Sequence, residues 1–135
     1  MLNRLTVFLL MLLPLLPASG GEGAGGRYLL FEPAAVDIGE VSFTEGRVTV
    51  DFPFTNIAGK TVSIVDVHAQ CGCTKASFSS VPVTPGKGGV VRVTLELKDL
   101  AGPQKRHLTV ISTDGTIRRF STITITGTVI RGDKP

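Results

Sequence analysis

The chain has 135 residues, of which 42% are hydrophobic and 19% are charged, and it carries a formal net charge of +3. Its basic residues are scattered rather than gathered into a stripe, and one Tyr with no Trp leaves little for base stacking, so we exclude nucleic acid as a partner. Only two histidines are present and no glycine-flanked serine elbow occurs, which gives no support to a nucleophilic enzyme.

The first 20 residues have the three parts of a secretory signal. Arg4 gives a positive start, residues 5–16 are an almost unbroken apolar run, and residues 17–20 offer small side chains for cleavage. The apolar run is shorter than the ~20 residues needed to span a bilayer, so we expect no membrane span in the mature protein. No cysteine lies near the cut, so we expect no lipid anchor and an exported product, either periplasmic or secreted.

The rest of the chain divides at its changes of composition. Residues 21–27 are predicted to form a flexible, glycine-rich leader, residues 28–131 the folded domain, and residues 132–135 a tail. A domain of this length buries roughly two thirds of the surface of its unfolded chain. The two cysteines are therefore not needed to hold it together.

Strand signals begin soon after the leader, and no segment keeps a helical period. Alternation is clear over Val48–Phe54, where Pro53 predicts an edge or a bulge because proline donates no ladder hydrogen bond. In Val62–Ala69 the apolar side chains change parity at Ile64-Val65, which predicts either a bulge or a strand covered on both faces. The shorter strands expected before these are Leu29–Phe31 and Val36–Val41.

The second half of the chain continues the pattern. Pro85-Gly86 suits the centre of a type II turn, and Gly127 holds an inward position without a side chain, which predicts a bend or the close approach of another strand. The alternating inward residues are Val91, Val93, Leu95, Leu97, Leu108, Val110, Ile123, Ile125 and Val129. About seven short strands with regular turn signals predict an all-β fold, an immunoglobulin-like antiparallel β-sandwich.

Several segments form a more specific pattern than strand alternation. They are Phe31-Glu32, Asp37-Ile38-Gly39-Glu40-Val41, Gly46, Phe52-Pro53-Phe54-Thr55-Asn56, Val67, Cys71-Gly72-Cys73-Thr74, Val83-Thr84-Pro85-Gly86, Val91-Arg92-Val93 and the ending from Ile123 to Val129. In this order, from about Phe31 to Val129, they resemble the bacterial domain-of-unknown-function 1573 family. The Cys-Gly-Cys-Thr element is the most specific part of the resemblance.

The resemblance implies an exported immunoglobulin-like domain, similar to Hydin-type and major-sperm-protein-like modules. Such modules mostly serve in binding or scaffolding rather than as enzymes, so a non-catalytic protein is expected. Members of this kind are often lipid-anchored, and this chain lacks the cysteine for that modification. The resemblance assigns no activity, because a fold does not fix a function.

Cys71, Gly72, Cys73 and Thr74 form the candidate binding site, and the residues leave several interpretations open. In a straight strand the two cysteine Cα atoms would lie ~6.7 Å apart with parallel side chains, so a disulfide needs a bend. Gly72 is predicted to supply it through backbone angles closed to other residues. The pair could then be a buried structural plug, reduced or bridged, a redox-active dithiol, or an exposed corner that binds a partner.

A metal site is the remaining alternative. His68, Cys71 and Cys73 could together offer one imidazole and two thiolates, a set suited to Cu(I) or zinc. In a regular strand His68 would point away from both cysteines, so the chain would have to bend to gather them. We expect no cofactor in the favoured interpretation, with copper or zinc as the alternative.

The favoured function is a non-catalytic, exported module that binds another protein or an envelope polymer. Its affinity could come from an exposed sheet edge or from the corner around Cys71–Phe78. The alternative is a periplasmic thiol-redox or copper-binding protein that uses Cys71 and Cys73.

Overall fold

The computed structural model describes residues 26–131, which form two four-stranded β-sheets packed face to face. The signal predicted over 1–20, most of the leader predicted over 21–27 and the tail predicted over 132–135 lie outside the described residues. No helix within residues 26–131 has the length and apolarity to cross a bilayer. The strands are β1 (Leu29–Phe31), β2 (Ala35–Ser42), β3 (Arg47–Asn56), β4 (Ser63–Ala69), β5 (Thr74–Ser77), β6 (Gly88–Glu96), β7 (Gly102–Thr113) and β8 (Arg118–Ile130).

The strand order is that of an immunoglobulin-like sandwich. One sheet has the order β1-β3-β6-β5 and the other the order β2-β8-β7-β4. The predicted fold class is therefore confirmed, with two corrections. The described chain has eight strands rather than about seven, and β2 pairs with β8 in parallel although every other pair is antiparallel.

Both corrections have one cause, the division of the first strand between the two sheets. β1 pairs with β3, and the chain then crosses over at residues 32–34 to pair with β8 as β2. Pro33 lies at this crossing, where it can donate no ladder hydrogen bond. Because the chain keeps its direction as it changes sheet, it meets β8 in parallel.

The apolar alternation of the sequence matches the inward faces of both sheets. The inward residues predicted from Val91 to Val129 are all buried, with exposed fractions between 0% and 3%. Burial of a side chain of this size stabilises the fold by ~1.5–3 kcal/mol. The main cluster spans both layers around Phe52, Leu108 and Ile123, and a smaller one lies at one end. The buried members of the smaller cluster are Leu95, Leu97 and Val129.

Two local predictions are confirmed by the pairing and turn geometry. The register of β4 against β7 shifts between Ile64 and Asp66, so this strand has the predicted bulge. The Lys87 N–H donates to the Thr84 carbonyl at 3.0 Å, and Gly86 has φ +82°. A type II turn requires positive φ at its third residue, so the predicted turn is present.

Pro53 is tolerated within β3 because β1, the strand beside it, is short. The Glu32 N–H donates to the Pro53 carbonyl at 3.4 Å, so the main-chain polar groups of residue 53 face the β1 side. The last β1 pair is Phe31 with Phe54. The missing N–H of Pro53 therefore lies at a local edge, as the sequence predicts, and pairing with β6 continues without a bulge.

Gly127 lies against β2, the strand that follows the crossing. A Cβ atom at residue 127 would overlap the Ile38 side chain and lie 3.0 Å from the Gly39 carbonyl oxygen. The predicted close approach of another strand is therefore confirmed.

A polar cluster around Asp114 closes the end of the sandwich near the β7–β8 turn. The Asp114 carboxylate accepts main-chain N–H groups of Ile117 and Thr116 at 2.8 Å each, and Lys60 Nζ lies 2.8 Å from it. The hydroxyl of the buried Tyr28 donates to the same carboxylate at 3.1 Å. The hydrogen bond from Ile117, followed by that from Lys60, lowers the pKa of Asp114 well below its ordinary value of 3.8.

This lowered pKa predicts a loss of stability in acid. The contribution of Asp114 is complete above the unfolded pKa near 3.8 and is lost as the pH falls from there toward the folded pKa. We expect Asp114→Asn to be less stable than wild type at neutral pH and to lose less stability on acidification. Urea midpoints across the acid range test this, with exposed Asp99→Asn as the control. Parallel pH profiles for wild type and Asp114→Asn would contradict it.

Candidate functional site

Cys71–Thr74 forms the corner at which the chain passes from one sheet to the other. β4 ends at Ala69 in one sheet, and β5 begins at Thr74 in the other. The Thr74 N–H donates to the Cys71 carbonyl at 3.1 Å, and the Glu96 N–H donates to the Cys73 carbonyl at 2.8 Å. Main-chain hydrogen bonds therefore close this turn and fix it to β6.

A disulfide joins Cys71 and Cys73 within this turn. Their Cα atoms lie 5.2 Å apart, so the chain has the bend that a straight strand lacks. The prediction that Gly72 supplies the bend through special backbone angles is wrong. Gly72 is not among the described glycines with positive φ, and a Cβ atom there would meet no heavy atom within 4 Å beyond its two chain neighbours. The bend comes from the turn hydrogen bond instead.

The two sulfur atoms have different surroundings. The Cys73 N–H donates to Cys71 Sγ at 3.1 Å. Cys73 packs against the smaller apolar cluster, and its Sγ lies 3.6 Å from the hydroxyl of the buried Thr74. Both cysteines are half-buried, so the disulfide is neither sealed in the core nor fully exposed.

His68 lies on β4, opposite Thr109 of β7, and is exposed. Among residues 26–131, no three His, Cys, Asp or Glu side chains converge where a metal ion could bind. Both cysteine sulfurs are engaged in the disulfide. Since a thiolate is the form that binds metal, the His68, Cys71 and Cys73 site stays a prediction for the reduced protein.

A shallow depression of ≈ 350 Å³ opens beside the disulfide. Its lining combines Cys73 and Gly72 with four charged side chains, those of Lys75, Glu96, Lys98 and Asp99. Glu96 pairs with Arg47 at 3.7 Å. Within the described chain neither lysine lies within 4.0 Å of a carboxylate oxygen, so both cations are available to a ligand.

The opposite end of β5 leaves part of β6 without a neighbour. β5 pairs only with residues 92–95 of β6, although β6 begins at Gly88. The Glu96 N–H donates toward the β5 side, so the polar groups of every second residue, including Val90 and Gly88, also point there. No turn or loop hydrogen bond between residues 26 and 131 reaches these groups. They form a short open edge.

A groove of ≈ 370 Å³ lies along this open edge. The edge forms one wall, and residues 79–84, which follow β5, form the other. Val81 is 66% exposed and Val90 is 45% exposed, so apolar side chains mark both walls. We call this feature, residues 79–84 with 88–90, the edge groove. The sequence predicts an exposed sheet edge but not its place on β6, because nothing local shows that β5 ends before β6 does.

The outer strands of the other sheet are protected against pairing in ways that the edge groove is not. Each has an irregular register, β2 between Asp37 and Glu40 and β4 between Ile64 and Asp66, and each carries at least one acidic side chain. Bulges and charges are the usual means of preventing contact between edges. Residues 88–91 of β6, in contrast, are Gly-Gly-Val-Val and pair with β3 in unbroken register.

Comparison with known proteins gives one family match. The family is described as protein of unknown function (DUF1573), and its profile matches residues 29–129. This span contains the disulfide corner and the edge groove. No curated protein matches the sequence.

Solved structures share the fold at low sequence identity. A protein of unknown function from Porphyromonas gingivalis W83 is 12% identical with a TM-score of 0.63, over 87% of this chain and 51% of that one. The VesB protease of Vibrio cholerae is 14% identical with a TM-score of 0.62, over 75% of this chain and 32% of that one. The human CEP192 ASH / PapD-like domain is 9% identical with a TM-score of 0.62, over 88% of this chain and 94% of that one.

These identities show the fold alone. The chain spans about half the length of the Porphyromonas structure and about a third of the Vibrio structure. The activity named for the latter protein therefore does not transfer to this domain.

Proposed function

This chain belongs to the DUF1573 family of proteins of unknown function, and that membership assigns no activity. From the geometry, we propose that the protein is a non-catalytic binding module. The module binds an extended segment of another protein, which adds to the open edge of β6. Residues 1–20 are the export signal in this proposal, so the partner is periplasmic or outside the cell.

The open main-chain groups of Gly88 and Val90 carry the proposal. Each residue presents one N–H and one carbonyl to the groove, at the spacing of a strand edge. A peptide that pairs with them gains main-chain hydrogen bonds, and its alternate side chains contact the groove walls. A polysaccharide lacks this regular repeat of donors and acceptors, so a polypeptide fits the site better than an envelope polymer.

The walls indicate which peptides would bind. Val81 and Val90 are apolar and exposed, and Lys87 is the only charged residue that lines the groove in the described chain. We therefore expect a segment with small or apolar side chains, without basic residues at the contacts. Its proline content should be low, because proline cannot donate to the edge.

Synthetic peptides test strand addition directly. Mature protein is purified from its native cells, so that its mass also shows whether residues 1–20 have been removed. Peptides of alternating valine and threonine are added, and the amide signals of the protein are followed by NMR. We expect the signals of Gly88 and Val90 to shift, and the same peptide with a central proline to bind about tenfold more weakly.

Two lysine substitutions give the matched comparison. Val90→Lys places a charge in the edge groove and should weaken the binding of the peptide about tenfold. Val65→Lys, at a residue that is 39% exposed on β4, should leave binding unchanged. If the two variants bind equally, or if a polysaccharide binds while the Gly88 and Val90 signals stay fixed, strand addition at β6 is wrong.

A further inference from the structure

The Cys71–Cys73 disulfide contributes little to holding the domain together. The stabilisation from a cross-link grows with the length of the loop that it closes, and these cysteines are separated by two positions. The corner is also fixed by the main-chain bonds from Thr74 to Cys71 and from Glu96 to Cys73. The bond is therefore free to break without unfolding the sandwich.

One side of the disulfide is open to an incoming group. Cys73 lines the depression beside β5 and β6, whereas Cys71 does not. Apart from its chain neighbours Cys71 and Cys73, no residue has a heavy atom within 4 Å of the place where a Gly72 side chain would be, so no other segment covers the turn there. The depression therefore leads to Cys73 and not to Cys71.

Cys71 Sγ is the better leaving group of the two sulfur atoms. Cys71 Sγ accepts the Cys73 N–H at 3.1 Å, whereas Cys73 Sγ lies near the Thr74 hydroxyl at 3.6 Å. A hydrogen bond from an N–H stabilises a negatively charged sulfur more than a neutral one. A stabilised thiolate is the better leaving group in disulfide exchange.

The charges of the depression favour the approach of an anion. Lys75 and Lys98 have no carboxylate within 4.0 Å among residues 26–131, and Glu96 is paired with Arg47. Asp99 contributes the remaining negative charge of the lining. A thiolate that approaches Cys73 therefore passes two cations without ion-pair partners.

We propose that the Cys71–Cys73 disulfide is a thiol-exchange site whose co-reactant is a dithiol of another protein. A thiolate of that dithiol attacks Cys73 Sγ, the Cys71–Cys73 bond breaks, and Cys71 leaves as a thiolate that takes a proton from water. The second thiol of the partner gives up its proton and attacks the partner sulfur that is bonded to Cys73. The bond to Cys73 breaks, and Cys73 leaves as a thiolate that takes up a proton. The partner is oxidised to a disulfide, and the Cys71–Cys73 pair is reduced by two electrons and two protons.

Glutathione serves as the probe for the first step. Full-length protein with its disulfide intact is mixed with glutathione, the freed thiol is alkylated at once, and fragment mass spectra locate each group. We expect glutathione on Cys73 and the alkyl group on Cys71, with a preference of about tenfold. Three results would overturn the proposal: an even division of glutathione between the two cysteines, a preference for Cys71, or a rate no higher than that of a short peptide with the same Cys-Gly-Cys disulfide.

Variants of exposed lysines separate the role of the depression from that of net charge. Lys98→Gln removes a cation that lines the depression and should slow the reaction with glutathione about threefold. Lys105→Gln removes an exposed cation on β7 and should leave the rate unchanged. Equal rates for the two variants would show that attack does not pass through the depression.

Discussion

Replacement of Asn56 by alanine is expected to lower the free energy of unfolding by about 2–4 kcal/mol. The side chain is 2% exposed, and its Nδ2 donates to the carbonyls of Lys60 and Val83 at 2.8 Å each. Its Oδ1 accepts the Ala58 N–H at 2.7 Å. Alanine would leave the Ala58 N–H and the Lys60 carbonyl without this partner, whereas the Val83 carbonyl would keep the Val62 N–H at 3.0 Å. An unsatisfied buried group costs roughly 1–3 kcal/mol.

The same residue fixes one wall of the edge groove, because Val83 lies in that wall. Urea denaturation of Asn56→Ala measures the loss of stability, and Thr55→Ala, at the exposed neighbouring position on β3, is the control. We expect the control to stay within about 0.5 kcal/mol of wild type. A change below about 1 kcal/mol for Asn56→Ala would mean that water replaces these hydrogen bonds.

Gly88→Ala is expected to destabilise the domain by about 1–3 kcal/mol. A Cβ atom at residue 88 would overlap the carbonyl oxygen of Phe54, a main-chain atom within the β3–β6 ladder. That atom cannot move without disturbing strand pairing, so the fold cannot relieve the overlap cheaply. The same displacement would shift the open edge, and peptide binding should weaken together with stability.

Gly72→Ala is the matched control, since the added methyl group would lie in open space. We expect its thermal midpoint to stay close to that of wild type. Thermal unfolding of both variants measures the difference. Equal destabilisation would show that Gly72 has a conformational role that its backbone angles do not indicate.

The two-layer architecture could be predicted from the sequence, because local alternation of apolar and polar residues shows which face of each strand is buried. The inward residues of β6 and β8 and the turn at Gly86 follow from neighbouring residues, whereas for β4 the sequence left a bulge as one of two alternatives. Alternation does not specify which strand pairs with which. The division of the first strand and its parallel pairing with β8 therefore could not be predicted, since they depend on contacts far apart in sequence.

The candidate site shows the same limit. The spacing of Cys71 and Cys73 indicates a corner, and the structure places a corner there. The depression beside it needs Glu96 at the end of β6 and Lys98 just after that strand, which no local pattern connects with the cysteines. The edge groove depends on the unequal lengths of two paired strands, and that relation exists only after they have paired.

The parallel pair of β2 and β8 also determines how the domain bears tension between its two ends. β2 follows the short β1 near the start of the described chain and β8 lies near its end, so opposite pulls on β2 and β8 load this ladder lengthwise. The paired segments on either side of the register shift, residues 35–37 and residues 40–42 of β2, then bear the load in shear. An antiparallel hairpin pulled from its open end would instead unzip one bond at a time. The geometry therefore favours mechanical resistance in a protein held at both termini.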